Sequence, residues 1–583
     1  MQLPINSFHL TRTITRTYLA VFISLMAAPA VLAQSAATPS DKPIISNADQ
    51  AISPVRRIKR NDNQKHRRPP LSSNYRSIDG SGNNLDHAEM NAANTALMRA
   101  MPAKYLDGVS QMVGQNYPNP RSVSNAINDQ LQDQSLTNSL KASDFLWQWG
   151  QFVDHDVDLT DGVNPPEHVN IVIPAGDPYF DPDATGTAEM LFNRSIYHTD
   201  TGTGSDNPRQ QFNEITGWID GSQIYGSDEE RAIALRTNDG TGQLRMSDGE
   251  LLPFNTDGLA NAGGTSASLF LAGDVRANEQ IGLTALHTLF VREHNRLAAN
   301  IAARKPSLTG EQIYQRARQK VIAILQAITY NEFIPALLGK GALAPYRGYN
   351  PRLNASIMNE FSTAAFRLGH TLVSPTLLRL DAENNEITAG HLPVRNAFFA
   401  PHRLIEEGGI EPVLRGLASQ KCQELDVYIV TDLRNFLFGS PGQGGFDLAA
   451  LNIQRGRDHG LPRYNDARES MGLTRMQEFS DLSSDPEVQA RLRNIYISVD
   501  DIDFWIGGLA ENHINGSLTG ELFFTVLKKQ FESLRDGDRF WYQHALTGNE
   551  LRSVNRTRLS DVIRRNTTIK REIPRDVFHT KAY

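Results

Sequence analysis

Two long apolar stripes at helical spacing, one after the other between residues 280 and 328, restrict this chain more than any other feature. Leu283, Leu286, Phe290 and Leu297 fall on one face of a segment running over about 280–301, and such a face must be buried against something. Thr309-Gly310-Glu311-Gln312 then offers the hydroxyl and amide of a capping box. Ile313, Ala317, Val321, Ile324 and Ile328 form the second stripe, which Gly339 is placed to stop. Alternating runs are short and few, at 169–173 and 427–430. The fold is therefore expected to be mainly α with little β structure. Beyond residue 71 there is no repeat, second linker or abrupt change of composition, and 40% hydrophobic content over 583 residues is ample for one large core. One helical domain over 71–583 is the expectation.

The N-terminus carries Arg12 and Arg16, then an apolar run over 19–33 broken by Ser24 and Pro29, with Val31-Leu32-Ala33 before Gln34. That run is short for a membrane span and ends in small residues, so residues 1–33 read as a cleaved signal peptide and the product as secreted or periplasmic. No later stretch approaches eighteen uninterrupted apolar residues, so no membrane span is expected after cleavage. Residues 34–70 are rich in Ser, Pro and charge and read as a flexible basic and polar leader. Cys422 is the single cysteine, which forbids an intrachain disulfide. An exported chain of this length without disulfides fits a bacterial secretory route better than an animal one. The formal net charge of −7 gives no reason to expect a nucleic-acid partner. Nothing here gives an oligomeric state.

Residues 146–159 read as a helix dense in unusual side chains. Gln151 and His155 lie about 40° apart and share a face, while Asp154 and Asp156 flank the histidine and diverge around the helix. Spacing alone leaves two readings open: an exposed acidic turn with an incidental histidine, or a helix presenting an imidazole and an amide to one pocket. As an EF-hand the run Asp156, Asp158, Asp161, Glu167 fails, because Gly162 comes one place late; Asp156 remains credible as one ligand of an oxygen site. Zinc-helix, Cys-x-x-Cys, phosphate-loop and nucleophile-elbow motifs are absent from the sequence.

The segment Trp147-Gln148-Trp149-Gly150-Gln151-Phe152-Val153-Asp154-His155-Asp156 resembles the distal-helix signature of the animal-type haem peroxidases, the peroxidase–cyclooxygenase superfamily. Four more segments match that family in the same order. They are Thr216-Gly217-Trp218-Ile219-Asp220-Gly221-Ser222, Ala272-Gly273-Asp274-Val275-Arg276-Ala277-Asn278-Glu279, Ala365-Phe366-Arg367-Leu368-Gly369-His370-Thr371-Leu372 and Leu451-Asn452-Ile453-Gln454-Arg455-Gly456-Arg457-Asp458-His459-Gly460.

The resemblance implies helices packed around a buried haem b. His370 would be the proximal ligand of the haem iron, Asn452 would accept the other imidazole N–H, and Arg367 would sit at the haem periphery. His155 would move the peroxide proton, Arg276 would stabilise the charge that develops, and Gln151 would hold a distal water. Asp154 and Glu279 match the carboxylates that become ester-linked to haem methyls. Asp156, Thr216, Trp218 through its carbonyl, Asp220 and Ser222 match a Ca2+ site. The implied activity is reduction of hydrogen peroxide, followed by oxidation of small anions or phenolic donors through a ferryl intermediate. Gln280 stands where the most strongly oxidising relative has a haem-bonded methionine, which favours bromide, iodide or thiocyanate over chloride. Gly82 replaces a disulfide cysteine of the vertebrate enzymes. Two alternatives remain. One is a haem fatty-acid dioxygenase, against which stands the lack of tyrosine over 361–372; the other is an adhesion or matrix protein on a peroxidase scaffold.

Overall fold

The computed structural model describes residues 74–114, 116–130 and 135–581. The expected signal peptide (1–33) and leader (34–70) lie outside the described residues. The two apolar stripes become the long helices of the fold. Among the helices that position the site, α1 is Phe145–Val157, α2 is Ile281–Arg304, α3 is Gly310–Ile328 and α4 is Leu448–Asp458. The capping box forms as expected: the Thr309 side chain accepts from the backbone of Gln312, and the Gln312 side chain accepts from the backbone of Thr309. The second stripe runs on through a π-turn and a short helix, Ile334–Leu338. It stops at Gly339, whose φ of +88° is costly for any residue with a Cβ. The stretch Gly310–Leu338 is long and apolar enough to cross a membrane, yet 83% of its most apolar window is buried inside the fold.

Strand content is smaller than even the short alternating runs suggested. The run over 169–173 contributes only Ile171–Val172, paired antiparallel with Glu189–Met190. The run over 427–430 forms no strand; Ile429 makes a lone bridge to Asp129, and helix Thr431–Asn435 begins next. Three two-stranded ribbons make up the named sheets among the described residues. The fold is mainly α.

α1 is buried on nearly every side. Trp149 and Phe152 are fully buried and meet Phe290 of α2 with ring centroids 5.7 and 5.4 Å away, contacts that fix the helix pair by offset and tilted aromatic packing. This burial rules out the exposed acidic turn: His155 is 3% exposed and Asp156 not at all. His287 packs edge-on to Phe152, and His294 is held between the Tyr225 hydroxyl and the Gly242 carbonyl, so both histidines of α2 are core residues. At Gly82, φ is +70°. The segment around it is pinned without a disulfide: Arg76 and Asn83 both bind Asp538, and Arg539 donates to the carbonyls of Gly82 and Asn83.

Candidate active site

One deep cavity, ≈ 1470 Å3 with the solvent at its mouth included, gathers Gln151, Asp154, His155, Arg276, Glu279, Arg367 and His370 on its walls. These residues come from three stretches of chain, at 151–155, 276–279 and 367–370. On one wall α1 supplies Gln151 and His155 one turn apart, with Asp154 beside them. Arg276 and Glu279 approach from the segment before α2. That segment is drawn in tightly: a Cβ on Gly273 would lie 2.2 Å from the Ser222 carbonyl oxygen, so only glycine permits this approach.

Asp274, which the sequence reading did not single out, organises this wall. It takes Arg276 Nε and Nη2, each at 2.9 Å, and lies 3.6 Å from His155 Nδ1. Arg276 Nη2 also donates to the Asp158 carbonyl at 2.8 Å, and Nη1 lies 3.8 Å from Asp154. Burial pushes the Asp274 carboxyl up, but Arg276 and His155 outweigh that and hold it well below the usual range. Burial and then Arg276 hold the His155 imidazole well below its ordinary value, so it is neutral at neutral pH and able to take a proton. Burial, then Asp158, pushes the Asp154 carboxyl well up.

A second network was also missed. Gln151 Nε2 donates to Glu279 at 3.0 Å, and Gln280 Nε2 donates to Gln151 at 3.0 Å and to Gln148 at 2.5 Å. Gln280 also caps α2, accepting from the Gly282 N–H. The residue read only as a missing methionine is therefore the link between α1 and the start of α2. Its motif neighbours were visible in sequence; the cross-helix contact was not.

On the facing wall Arg367 and His370 lie in a 3-10 helix, Ala365–His370, whose three-residue turn puts them on one face. A Cβ on Gly369 would meet no atom within 4 Å, so the backbone there opens onto the cavity. Asn452, on α4 behind this wall, is 2.7 Å from His370 Nδ1. The contact matches the expectation, but its polarity does not. The amide nitrogen faces the ring, and the amide oxygen accepts from Arg367 Nη1 at 3.2 Å. A half-turn of the amide would let its oxygen accept from Nδ1–H and put the ring in the tautomer whose Nε2 can bind a metal.

The expected Ca2+ residues gather on the far side of α1. Asp156 Oδ1 accepts from the Ser222 backbone at 2.7 Å, and Ser222 Oγ donates to the Asp156 carbonyl at 2.9 Å. Thr216 donates to Asp220 Oδ1 at 3.0 Å, and Trp218 lies between them with its indole buried. Asp220 Oδ2 is buried with no hydrogen-bond partner. Burial and the neighbouring Asp220 push Asp156 well up, and burial pushes Asp220 to about 6. No cluster of three or more His, Cys, Asp or Glu suited to a metal occurs among the described residues. A cation here would thus rest on two carboxylates and neutral oxygens, a set that suits a hard ion.

A mainly helical fold with one histidine on each side of a deep cavity has the architecture of a helical haem protein. A family model described as animal haem peroxidase matches residues 75–578. Thyroid peroxidase of Sus scrofa is 38% identical over 563 residues, covering 87% of this chain and 61% of that protein; the chain thus spans less than two thirds of that relative. The solved structure of peroxidase A from Dictyostelium discoideum aligns with a TM-score of 0.80 at 36% identity, covering 87% of this chain and 100% of that one. A fatty acid alpha-dioxygenase from Arabidopsis thaliana aligns with a TM-score of 0.73 at 21% identity over 88% of this chain and 85% of its own, a likeness of fold alone. The chain belongs to the animal haem peroxidase family.

Proposed function

We propose that this protein reduces hydrogen peroxide at a haem b seated between His155 and His370, and oxidises bromide, iodide, thiocyanate or small phenolic donors. The observation that carries this reading is the pairing across one cavity of a neutral, buried His155 beside Arg276 with a His370 whose Nδ1 is already engaged by Asn452. The donor set fits the cofactor: with the Asn452 amide turned so that its oxygen accepts from Nδ1–H, His370 would hold the iron through Nε2, Gly369 leaves room beside it, and Arg367 supplies a cation at the edge. When bound, the haem supplies the two-electron redox chemistry.

The chain's own residues do the proton and charge work. His155 takes a proton from one peroxide oxygen and returns it to the other, and its lowered basicity keeps it ready as a base. Arg276, fixed by Asp274, stabilises the negative charge that builds as the O–O bond breaks. Gln151, held by Glu279 and Gln280, orients a water or small anion beside His155. Asp154 and Glu279 line the cavity as candidates for ester bonds to the haem. Asp156, Thr216, Trp218, Asp220 and Ser222 form the candidate Ca2+ site. Export to the periplasm or beyond rests on residues 1–33, and the domain on residues 71–583.

Purified protein reconstituted with haem should show a Soret band that His370→Ala abolishes. His155→Ala should keep the band but react with peroxide ~100-fold more slowly or worse. A normal haem spectrum in the first variant would overturn the proximal assignment, and unchanged kinetics in the second would remove His155 from the mechanism.

A further inference from the structure

Trp147 stands one turn before Gln151 on α1 and lines the same cavity, although it is only 5% exposed. Its indole N–H donates to Asp144 Oδ1 at 2.9 Å. Asp144 is itself buried, at 1% exposure, and the same oxygen accepts from Ser374 Oγ at 2.7 Å. Asp144 occupies the N-cap position of α1, where a carboxylate ordinarily accepts a backbone N–H of the first turn. Here it makes no such bond; the carboxylate is turned instead to the indole and to the segment just after His370. It forms no ion pair among the described residues, so a carboxyl group is buried beside the cavity without a countercharge, an arrangement that costs stability.

Trp149, two residues on, provides the contrast. Its N–H meets the neutral Thr329 hydroxyl at 3.2 Å, and its ring packs into the aromatic core rather than onto the cavity. A buried indole needs only some acceptor. What distinguishes Trp147 is an acceptor able to take the proton, combined with a place on the cavity wall. Burial pushes the Asp144 carboxyl up to about 7, so it can gain and lose a proton under neutral conditions.

We propose that Trp147 and Asp144 form a redox pair that gives the peroxide-oxidised haem one electron from within the protein, and so favours one-electron, phenol-like donors. The inference rests on the peroxidase reading above, which supplies the oxidant. In the step, the Trp147 indole loses one electron to the oxidised haem and its N–H proton to Asp144. A neutral indolyl radical and a carboxylic acid remain. A phenolic donor then returns one electron, directly or through the haem, and the proton moves back from Asp144 to the ring nitrogen as the N–H bond reforms. The phenol leaves as a phenoxyl radical and its own proton goes to solvent. Two-electron donors such as thiocyanate do not need this path.

The test uses the haem-loaded wild-type chain with one equivalent of hydrogen peroxide, followed by optical spectra, freeze-quench electron paramagnetic resonance and spin trapping with peptide mass spectrometry. The expected result is an optical change of the haem, a protein radical, and a trap adduct on Trp147. Trp147→Phe should keep the optical change but lose that radical, and its turnover of a phenol should fall relative to that of thiocyanate. Asp144→Asn should lower the radical yield while leaving the haem spectrum in place. An optical response in the wild type without an adduct on Trp147 overturns this proposal and leaves the peroxidase reading standing. An undiminished radical in Asp144→Asn removes Asp144 from the pair. No optical response to peroxide at all defeats the peroxidase reading, and this proposal with it. Adduct mapping on the wild type needs no variant to fold.

Discussion

At the scale of single residues, the site works by burial set against specific charges. His155, His287, His294 and His459 are buried, and burial lowers the basicity of all four. His294 is the simplest to isolate because it lies outside the cavity, with Nδ1 on the Tyr225 hydroxyl and Nε2 on the Gly242 carbonyl. Burial pushes it down to about 4 from an ordinary value of 6.5. The unfolded chain therefore takes up a proton below pH 6.5 that the folded chain refuses until about pH 4. Its contribution to stability is complete above pH 6.5 and declines as the pH falls through that window. Relative to His294→Gln, the wild type should lose stability between those limits, by on the order of 3 kcal/mol. Urea melts at several pH values would read this, and parallel pH profiles for the two proteins would contradict it. Asp154 and Glu279 give a second residue-level prediction. After turnover with peroxide, acid–acetone should leave haem on the polypeptide, and Asp154→Asn with Glu279→Gln together should release it.

At the scale of elements, α1 is held from several sides. Its cavity face carries Gln151 and His155, its core face carries Trp149 and Phe152, and its far side carries Asp156 against the 216–222 segment. The last of these brings together two carboxylates whose proton affinity burial raises, and Asp220 raises that of Asp156 further, an arrangement that a shared cation or proton would relieve. Removing divalent cations with a chelator should lower Tm and slow the reaction with peroxide, and added Ca2+ should restore both. In Asp220→Asn the chelator should have little further effect. A wild-type Tm indifferent to chelation and to Ca2+ would count against the site. The α1–α2 junction through Gln280 was not legible in advance. Nothing in the spacing of Gln148, Gln151 and Gln280 says that two helices 132 residues apart will share one amide network.

At the scale of the whole molecule, the cavity is where distant stretches of chain meet. α1 forms one wall and the Ala365–His370 turn the other, with Asn452 of α4 behind it. A ligand touching both walls binds the folded state alone, so free haem at about 100 times its Kd should stabilise the protein by about 2.7 kcal/mol. Thermal melts of apo and haem-loaded protein, made before any exposure to peroxide, should show the higher Tm in the loaded form. Equal values would mean that haem does not bridge the walls. The sequence by itself determined the mainly α class, the capped helix beginning after Thr309, the stop at Gly339 and the short list of cavity residues. These are written in local spacing, in a glycine at positive φ and in motifs that keep their order. Only the tertiary structure decided that Asp274 holds Arg276 beside His155, that Gln280 ties α1 to α2, and that Asp144 lies unpaired by charge beneath Trp147. The physical reason is that a hydrogen bond or a burial cost depends on which atoms are neighbours in space, and periodicity along the chain specifies a face without naming what that face will meet.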